Sequence, residues 1–319
     1  MRVVLDAMGS DDHPLPEIHA AVEAVNEFGD EILLVGNQDE LIPLLKKVNP
    51  NNLPIRVIHA PETFLMTDKI SGSALRKSQN SMGVGMDLVK DGKADVFVTA
   101  GNTGGAMAIG LARFGRIKGV KRPALCAVIP VKNGFCAVTD VGANAICKPE
   151  FLVQFGKMGS VYVKELLGVK NPRVGLISNG EEAGKGNDLV KAAYPLFEAS
   201  GLNFYGNVEG KEIFNGEVDV AVSDGFTGNV FIKGVEAVAK LLVENLKEEL
   251  MISTRTKIGA LLAKPAFDAL RKTLDPAEIG AIPLLGLDGL VFVGHGRSDA
   301  KAMMSAIKMA RAFAPKARN

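Results

Sequence analysis

Two glycine-rich stretches of this 319-residue chain could hold an anion, and they are nearly one stretch written twice. Ala94 to Gly110 reads ADVFVTAGNTGGAMAIG, and Val218 to Gly234 reads VDVAVSDGFTGNVFIKG. Seven of the seventeen positions are identical: Asp95/Asp219, Val96/Val220, Val98/Val222, Gly101/Gly225, Thr103/Thr227, Gly104/Gly228 and Gly110/Gly234. Each copy predicts a buried strand, a glycine turn and a helix start. The first N–H groups of a helix lack partners and carry roughly half a positive charge. Glycine lets a ligand come close to those amides. A tight turn that binds nothing is the plainer alternative, and two matched copies weaken it. The copies also differ: Ala100, Asn102 and Gly105 become Asp224, Phe226 and Asn229, so only the second corner carries a carboxylate.

Further polar residues stand at the ends of other predicted strands. They are Asp6 with Ser10, Asp11 and Asp12; Asp140 with Asn144; Asn179, Glu181, Glu182 and Lys185; and His295, Arg297 and Ser298. One such residue usually caps a helix or shapes a turn. Six polar strand ends on one rim of a parallel sheet would form a ligand crevice. Asp224, Asn102 and Lys185 stand among these ends and could meet a bound anion, unless Lys185 is an ordinary solvated lysine. His295, between glycines, is the one histidine of four placed for a role; His19 and His59 read as structural.

Several motifs fail. Gly180 to Gly186 resembles a Walker loop but is one residue short and has Gly in place of Ser/Thr. No G-x-G-x-x-G follows the first strand, and no G-x-S-x-G elbow exists. Cys126, Cys136 and Cys147 lack metal spacing and read as reduced, buried thiols of a cytoplasmic protein. No metal or organic cofactor is expected.

These residues need a scaffold. Strands are expected at 2–7, 32–35, 56–59, 95–99, 125–130, 135–139, 173–178, 219–223 and 290–293, mostly continuous apolar runs covered on both faces. Helices are expected at 13–28, 41–47, 73–90, 104–116, 149–167, 187–199, 229–250 and 299–313. That alternation predicts an α/β fold with a mainly parallel sheet, and Lys132-Asn133-Gly134 predicts one antiparallel hairpin. We expect one large α/β domain over 1–319 with a helical arm at about 246–280. The chain opens directly into a strand rather than a signal peptide. The net charge of +1 offers no field for nucleic acid.

Two stretches speak to partners. Arg113, Arg116, Lys118, Lys121 and Arg122 lie within ten residues, a solvated basic loop or a docking patch for an acidic partner. Residues 253–274 carry apolar side chains at helical spacing, with Pro265 expected to break the run. They would pack on the body or a partner subunit, or touch a membrane.

Leu5-Asp-Ala-Met-Gly-Ser-Asp-Asp12, Thr99-Ala-Gly-Asn-Thr-Gly-Gly-Ala106, Asp140-Val-Gly-Ala-Asn144, Asn179-Gly-Glu-Glu182, Ser223-Asp-Gly-Phe-Thr-Gly-Asn229 and Gly294-His-Gly-Arg-Ser-Asp299 together resemble the PlsX family of phosphate acyltransferases. The resemblance runs from residue 2 to about 313. It implies a three-layer α/β/α sandwich similar to isocitrate/isopropylmalate dehydrogenases and phosphotransacetylases, and a homodimer. The implied reaction takes a long-chain acyl group from acyl carrier protein to inorganic phosphate. The acyl phosphate then serves a membrane glycerol-3-phosphate acyltransferase in phospholipid synthesis, at or near the inner face of the membrane. Carried onto this chain, the motifs give Asp224, Asn229, Asn102, Lys185 and His295 as catalytic candidates. Gly9, Ser10, Gly101, Thr103, Gly104, Gly105, Asp140, Asn144, Asn179, Gly225, Thr227 and Gly228 are the binding candidates, with the basic loop meeting the acidic carrier. Which glycine corner holds phosphate stays open. Rival readings are a short-chain phosphotransacetylase using acyl-CoA, a non-catalytic acyl-ligand sensor, and a metal-dependent dehydrogenase of the same fold.

Overall fold

The computed structural model describes residues 1–49, 51–65, 67–68, 79–274 and 280–315. Eleven strands form one sheet: β1 (Arg2–Asp6), β2 (Glu31–Gly36), β3 (Ile55–His59), β4 (Val96–Thr99), β5 (Ala124–Val131), β6 (Gly134–Thr139), β7 (Arg173–Ile177), β8 (Asn203–Val208), β9 (Val220–Val222), β10 (Ala281–Leu285) and β11 (Val291–Gly294). Their order across the sheet is β3-β2-β1-β4-β11-β10-β5-β6-β9-β7-β8. The helices are α1 (Leu15–Phe28), α2 (Gln38–Val48), α3 (Ser81–Lys90), α4 (Thr103–Arg113), α5 (Pro149–Leu167), α6 (Asp188–Glu198), α7 (Gly210–Asn215), α8 (Gly225–Leu250), α9 (Thr254–Leu262), α10 (Lys264–Leu274) and α11 (Ala300–Phe313). Residues 73–78 of the expected 73–90 helix and 275–279 of the expected arm lie outside the described residues.

Alternation along each strand divides the core. Val3 and Leu5 of β1 join the cluster that holds Ile18 of α1, Phe155 of α5 and Ile307 of α11. Val4, between them, joins Met86 of α3 and Ile109 of α4 on the other face. The result is the expected three-layer sandwich.

Two strands were not anticipated. β8 is Asn- and Gly-containing and lies at the sheet edge, and β10 contains Pro283, a residue that argues against a strand. β10 matters more, because it pairs antiparallel with both β11 and β5. With the β5–β6 hairpin, formed around an Asn133 of φ 64°, that makes three antiparallel junctions among otherwise parallel pairs. An odd number of reversals turns the second half of the sheet over. The strands β1, β4 and β11 therefore end on one rim, and β6, β9 and β7 end on the other.

The two halves correspond. β2-β1-β4 on one side matches β8-β7-β9 on the other, each run being parallel. The repeated aspartates hold equivalent joints. Asp95 accepts the backbone N–H of Arg2 at 2.7 Å, and Asp219 accepts that of Arg173 at 2.7 Å. Each aspartate also faces its arginine's guanidinium, at 3.7 and 2.9 Å. The duplicated design thus extends beyond the seventeen aligned residues to the strand beside each copy.

Phe231 and Ile232, in the second turn of α8, still pack on the core, and beyond them the helix leaves the body; only Gly225 and Gly228 of its residues are fully buried. No residue of α9 is buried, and α9 and α10 meet at Ala263, so the run is broken as expected, with Pro265 in the first turn of α10. Ile258, Leu261 and Leu262 are exposed, so this stretch does not pack on the body of its own chain. No helix among the described residues is long and apolar enough to cross a membrane.

Candidate active site

The single crevice expected from six polar strand ends becomes two separate groups. Asp6, Gly9, Ser10, the Gly101–Gly105 corner and His295 lie on the first rim. Asp140, Asn144, Asn179, Lys185, Asp224 and Asn229 lie on the second. The corners that follow β4 and β9 are also five strand spacings apart, about 24 Å along the sheet. Within one chain, Asn102 and His295 therefore do not meet Asp224.

On the second rim Asp224 is the N-cap of α8. Its Oδ1 accepts from Phe226 N at 3.0 Å and Thr227 N at 2.9 Å, and its Oδ2 accepts from the Thr227 hydroxyl at 2.8 Å. Gly225 N donates to the Asn144 carbonyl, and Gly228 N to the Asp224 carbonyl. Every amide of that first turn is occupied, which corrects the expectation of an open anion cradle there. The helix also begins four residues earlier than expected, because Asp224 can cap where its counterpart Ala100 cannot.

The second-rim glycines admit backbone rather than ligand. A Cβ on Gly228 would stand 1.9 Å from the Asp140 carbonyl oxygen, and one on Gly225 would stand 2.8 Å from the Asn144 backbone. Asp140 pins that loop. Its fully buried carboxylate accepts from the amides of Leu125, Gly142, Ala143 and Asn144 and from Asn144 Nδ2, at 2.7–3.2 Å. Burial pushes this carboxyl above the usual aspartate value, opposed by those donors. Asp140 and Asn144 are thus supports of the site, and Asn229 lies beside Gly142.

Between the ends of β7 and β9 a crevice of about 330 Å³ is lined by Ser178, Asn179, Asn187, Ser223, Asp224 and Thr227, over Leu152, Ile177 and Val190. Asn179 Oδ1 accepts from Gly186 N at 2.9 Å and Asn187 Oδ1 from Val190 N at 3.0 Å. Each amide's NH₂ is left as a donor. Ser178 Oγ is buried without a partner. Three donors thus belong to residues that line a crevice whose one ionisable group, among the described residues, is Asp224. By the usual four lone-pair sites of a carboxylate, about one remains on Oδ2. Lys185 folds its stem over Gly180 and does not line the crevice. Ser178 and Asn187 escaped the sequence reading; Asn187, before an apolar run, signalled only the cap that it also is.

Cys147 neighbours this crevice, and burial pushes its thiol up to about 12, against reach of Arg122 and with Asp140 and Asp224 adding to the rise. It is no nucleophile at neutral pH.

On the first rim Asn102 Oδ1 caps α4 through Gly105 N at 2.9 Å. Thr99 Oγ1 donates to Asp6 at 2.7 Å and accepts from Gly101 N at 2.9 Å. Gly9 packs so closely that a Cβ would meet Gly101 N at 2.9 Å. Glu17, fully buried, accepts Ser10 N at 3.1 Å with one oxygen and leaves the other unpartnered. Burial first, and Asp6 nearby, push its carboxyl from 4.5 to about 7. Between those values the folded chain keeps a proton that the unfolded chain has released, so stability falls as pH rises through that window. Glu17→Gln should remove this slope, gaining roughly 1–3 kcal/mol over the parent at pH 8 relative to pH 4. Urea midpoints at both values would check it; parallel pH curves would contradict it.

The basic loop is also divided. Arg113 faces Asp87 of α3 at 3.5 Å. Arg116, Lys118, Lys121 and Arg122 instead line a concavity on the second rim.

Residues 1–317 match the family described as "Fatty acid synthesis protein". A phosphate acyltransferase of Geotalea uraniireducens is 46% identical over 319 residues, all of this chain and 92% of that one. Another, of Pelotomaculum thermopropionicum, is 44% identical over 311 residues, 98% of this chain and 91% of that one. A phosphotransacetylase structure from Streptococcus pyogenes aligns with a TM-score of 0.62 at 16% identity, covering 99% and 94% of the two chains. That likeness is one of fold.

Proposed function

Because the chain belongs to the fatty acid synthesis protein family, the PlsX phosphate acyltransferases, we propose that it moves a long-chain acyl group from acyl carrier protein to inorganic phosphate. It is an acyltransferase; the donor, the site and the use of the product in phospholipid synthesis are our reading. The observation that carries it is the crevice at the end of β9, with one oriented carboxylate and three neutral donors.

An oxygen of hydrogenphosphate attacks the thioester carbonyl, the C–S bond breaks, and the phosphate proton ends on the departing sulfur. Charge, protons and atoms balance without an enzyme nucleophile. Ser178, Asn179 and Asn187 supply donors to the oxyanion and to phosphate oxygens, worth most in a site already organised before reaction. The free Oδ2 position of Asp224 takes the proton and returns it to the thiolate. Thr227 and the α8 amides hold that carboxylate in place.

Partners follow from surfaces. The exposed apolar residues of α9 suit a membrane or a second copy of the chain, and the chain is proposed to act as a homodimer close to the membrane that receives its product. Palmitoyl-carrier protein with phosphate should release free thiol at a rate proportional to enzyme, and acetyl-CoA should be a poor donor. Faster release from acetyl-CoA would favour the phosphotransacetylase reading. Absence of phosphate-dependent release from either donor would favour a ligand sensor.

A further inference from the structure

The loop between α4 and β5 folds into a pocket of about 540 Å³ whose charged lining, among the described residues, is wholly cationic: Arg116, Lys118, Lys121 and Arg122. The loop is built rather than loose. Arg116 Nη1 donates to the Lys121 carbonyl at 2.6 Å, and Gln154 of α5 clamps it from both sides, accepting Lys121 N and donating to the Gly119 carbonyl. Ile117 N donates to the Gly286 carbonyl. Lys121 reaches Glu150 only at 3.8 Å, and Arg122 lies 6.0 Å from the Phe151 ring centre. Leu111, Ile117 and Val120 add apolar wall between the charges. That volume is in the range of small-ligand sites, ~300–1,000 Å³, and the lining suits a chain with one anionic group and an apolar body.

The pocket is linked to the crevice through Asn144. Pro123 lines the pocket, and the Pro123 carbonyl accepts from Asn144 Nδ2 at 2.7 Å. The Asn144 carbonyl in turn accepts from Gly225 N, next to Asp224. β5 and β9 are two spacings apart, about 10 Å. Arg122 and Asp224 both act on the Cys147 thiol that lies near them.

We infer that this pocket binds the phosphorylated pantetheine arm of the acyl donor, setting its thioester toward Asp224. The inference rests on the acyltransfer reading above. It differs from docking of an acidic protein surface, because the ligand is the arm itself. The same arm occurs in carrier protein and in coenzyme A, and the donors tested below separate the two sources.

The test uses Lys118→Glu/Arg122→Glu in the full chain, with Lys118→Gln/Arg122→Gln should the reversal unfold it. Four donors carry one acyl group: acyl-pantetheine, acyl-4′-phosphopantetheine, acyl-coenzyme A and acyl-carrier protein. KM should rise at least tenfold for all three phosphorylated donors, with kcat unchanged and acyl-pantetheine within twofold of the parent. Calorimetry should show 4′-phosphopantetheine binding to the parent and not to the variant. A KM rise confined to carrier protein would overturn the inference in favour of surface docking, and a rise confined to coenzyme A would assign the pocket to its nucleotide. An equal loss with all four donors would reduce the loop to a structural part. Phosphopantetheine binding without turnover of any donor would keep the pocket and sink the acyltransfer reading; turnover without that binding would do the reverse.

Discussion

Asp224→Asn should fold and melt like the parent and lose at least ~10²-fold in turnover. Asparagine is as good an N-cap as aspartate, and its Oδ1 can still accept the Phe226 and Thr227 amides. What it lacks is a proton acceptor at the Oδ2 position, where Thr227 uses one lone pair and another faces the crevice. A dianion beside this carboxylate is unfavourable, about 4 kcal/mol for unit charges at ~4 Å under an effective dielectric near 20. A carboxylate retained there despite that cost should act in the chemistry. The pH–rate profile of the variant should lack the limb belonging to this group. Near-normal rates with the parent's profile would leave Asp224 a cap alone and remove acid–base catalysis from the mechanism.

Gly228→Ala should be severely damaging. The added Cβ would stand 1.9 Å from the Asp140 carbonyl oxygen. Overpacking a core typically costs about 1–3 kcal/mol, and flexible neighbours usually absorb part of it. Here the neighbour is backbone, pinned through the five hydrogen bonds received by the Asp140 side chain. The cost should reach about 3 kcal/mol or more, with activity lost as the crevice shifts. Gly234→Ala, two turns along the same helix and open to space, is the control. It should be neutral or gain up to about 1 kcal/mol from helix propensity. Urea midpoints of the pair decide the matter; equal midpoints would mean the Asp140 loop yields.

How much of this could be read beforehand depends on the range of the interaction. Continuous apolar runs such as those around Val96 and Val220 announced their strands, and the Asn133-Gly134 turn announced its hairpin. Asp95 and Asp219 were visible as a repeat, though not as the joints to Arg2 and Arg173, which lie 93 and 46 residues away in the chain. The rim assignment was not legible. It turns on β10, which Pro283 disguises, and on pairings between distant segments. Asp140 looked like a ligand because a carboxylate at a strand end has the same sequence appearance whether it faces phosphate or its own backbone. The basic loop was legible as charge, but its concavity depends on Gln154, a neutral residue from another helix.

The placement of β10 and β11 has a consequence for how the chain is made. β11 pairs with β4 through Val291 beside Phe97, and β10 pairs with β5 through Leu284 beside Leu125. During synthesis the two halves of the sheet emerge well before the strands that join them. Until those strands arrive, β4 and β5 are open edges, the kind that invites pairing with another chain. Contacts so distant along the chain are slow to form, so nascent protein should depend on chaperones until β10 and β11 have emerged from the ribosome.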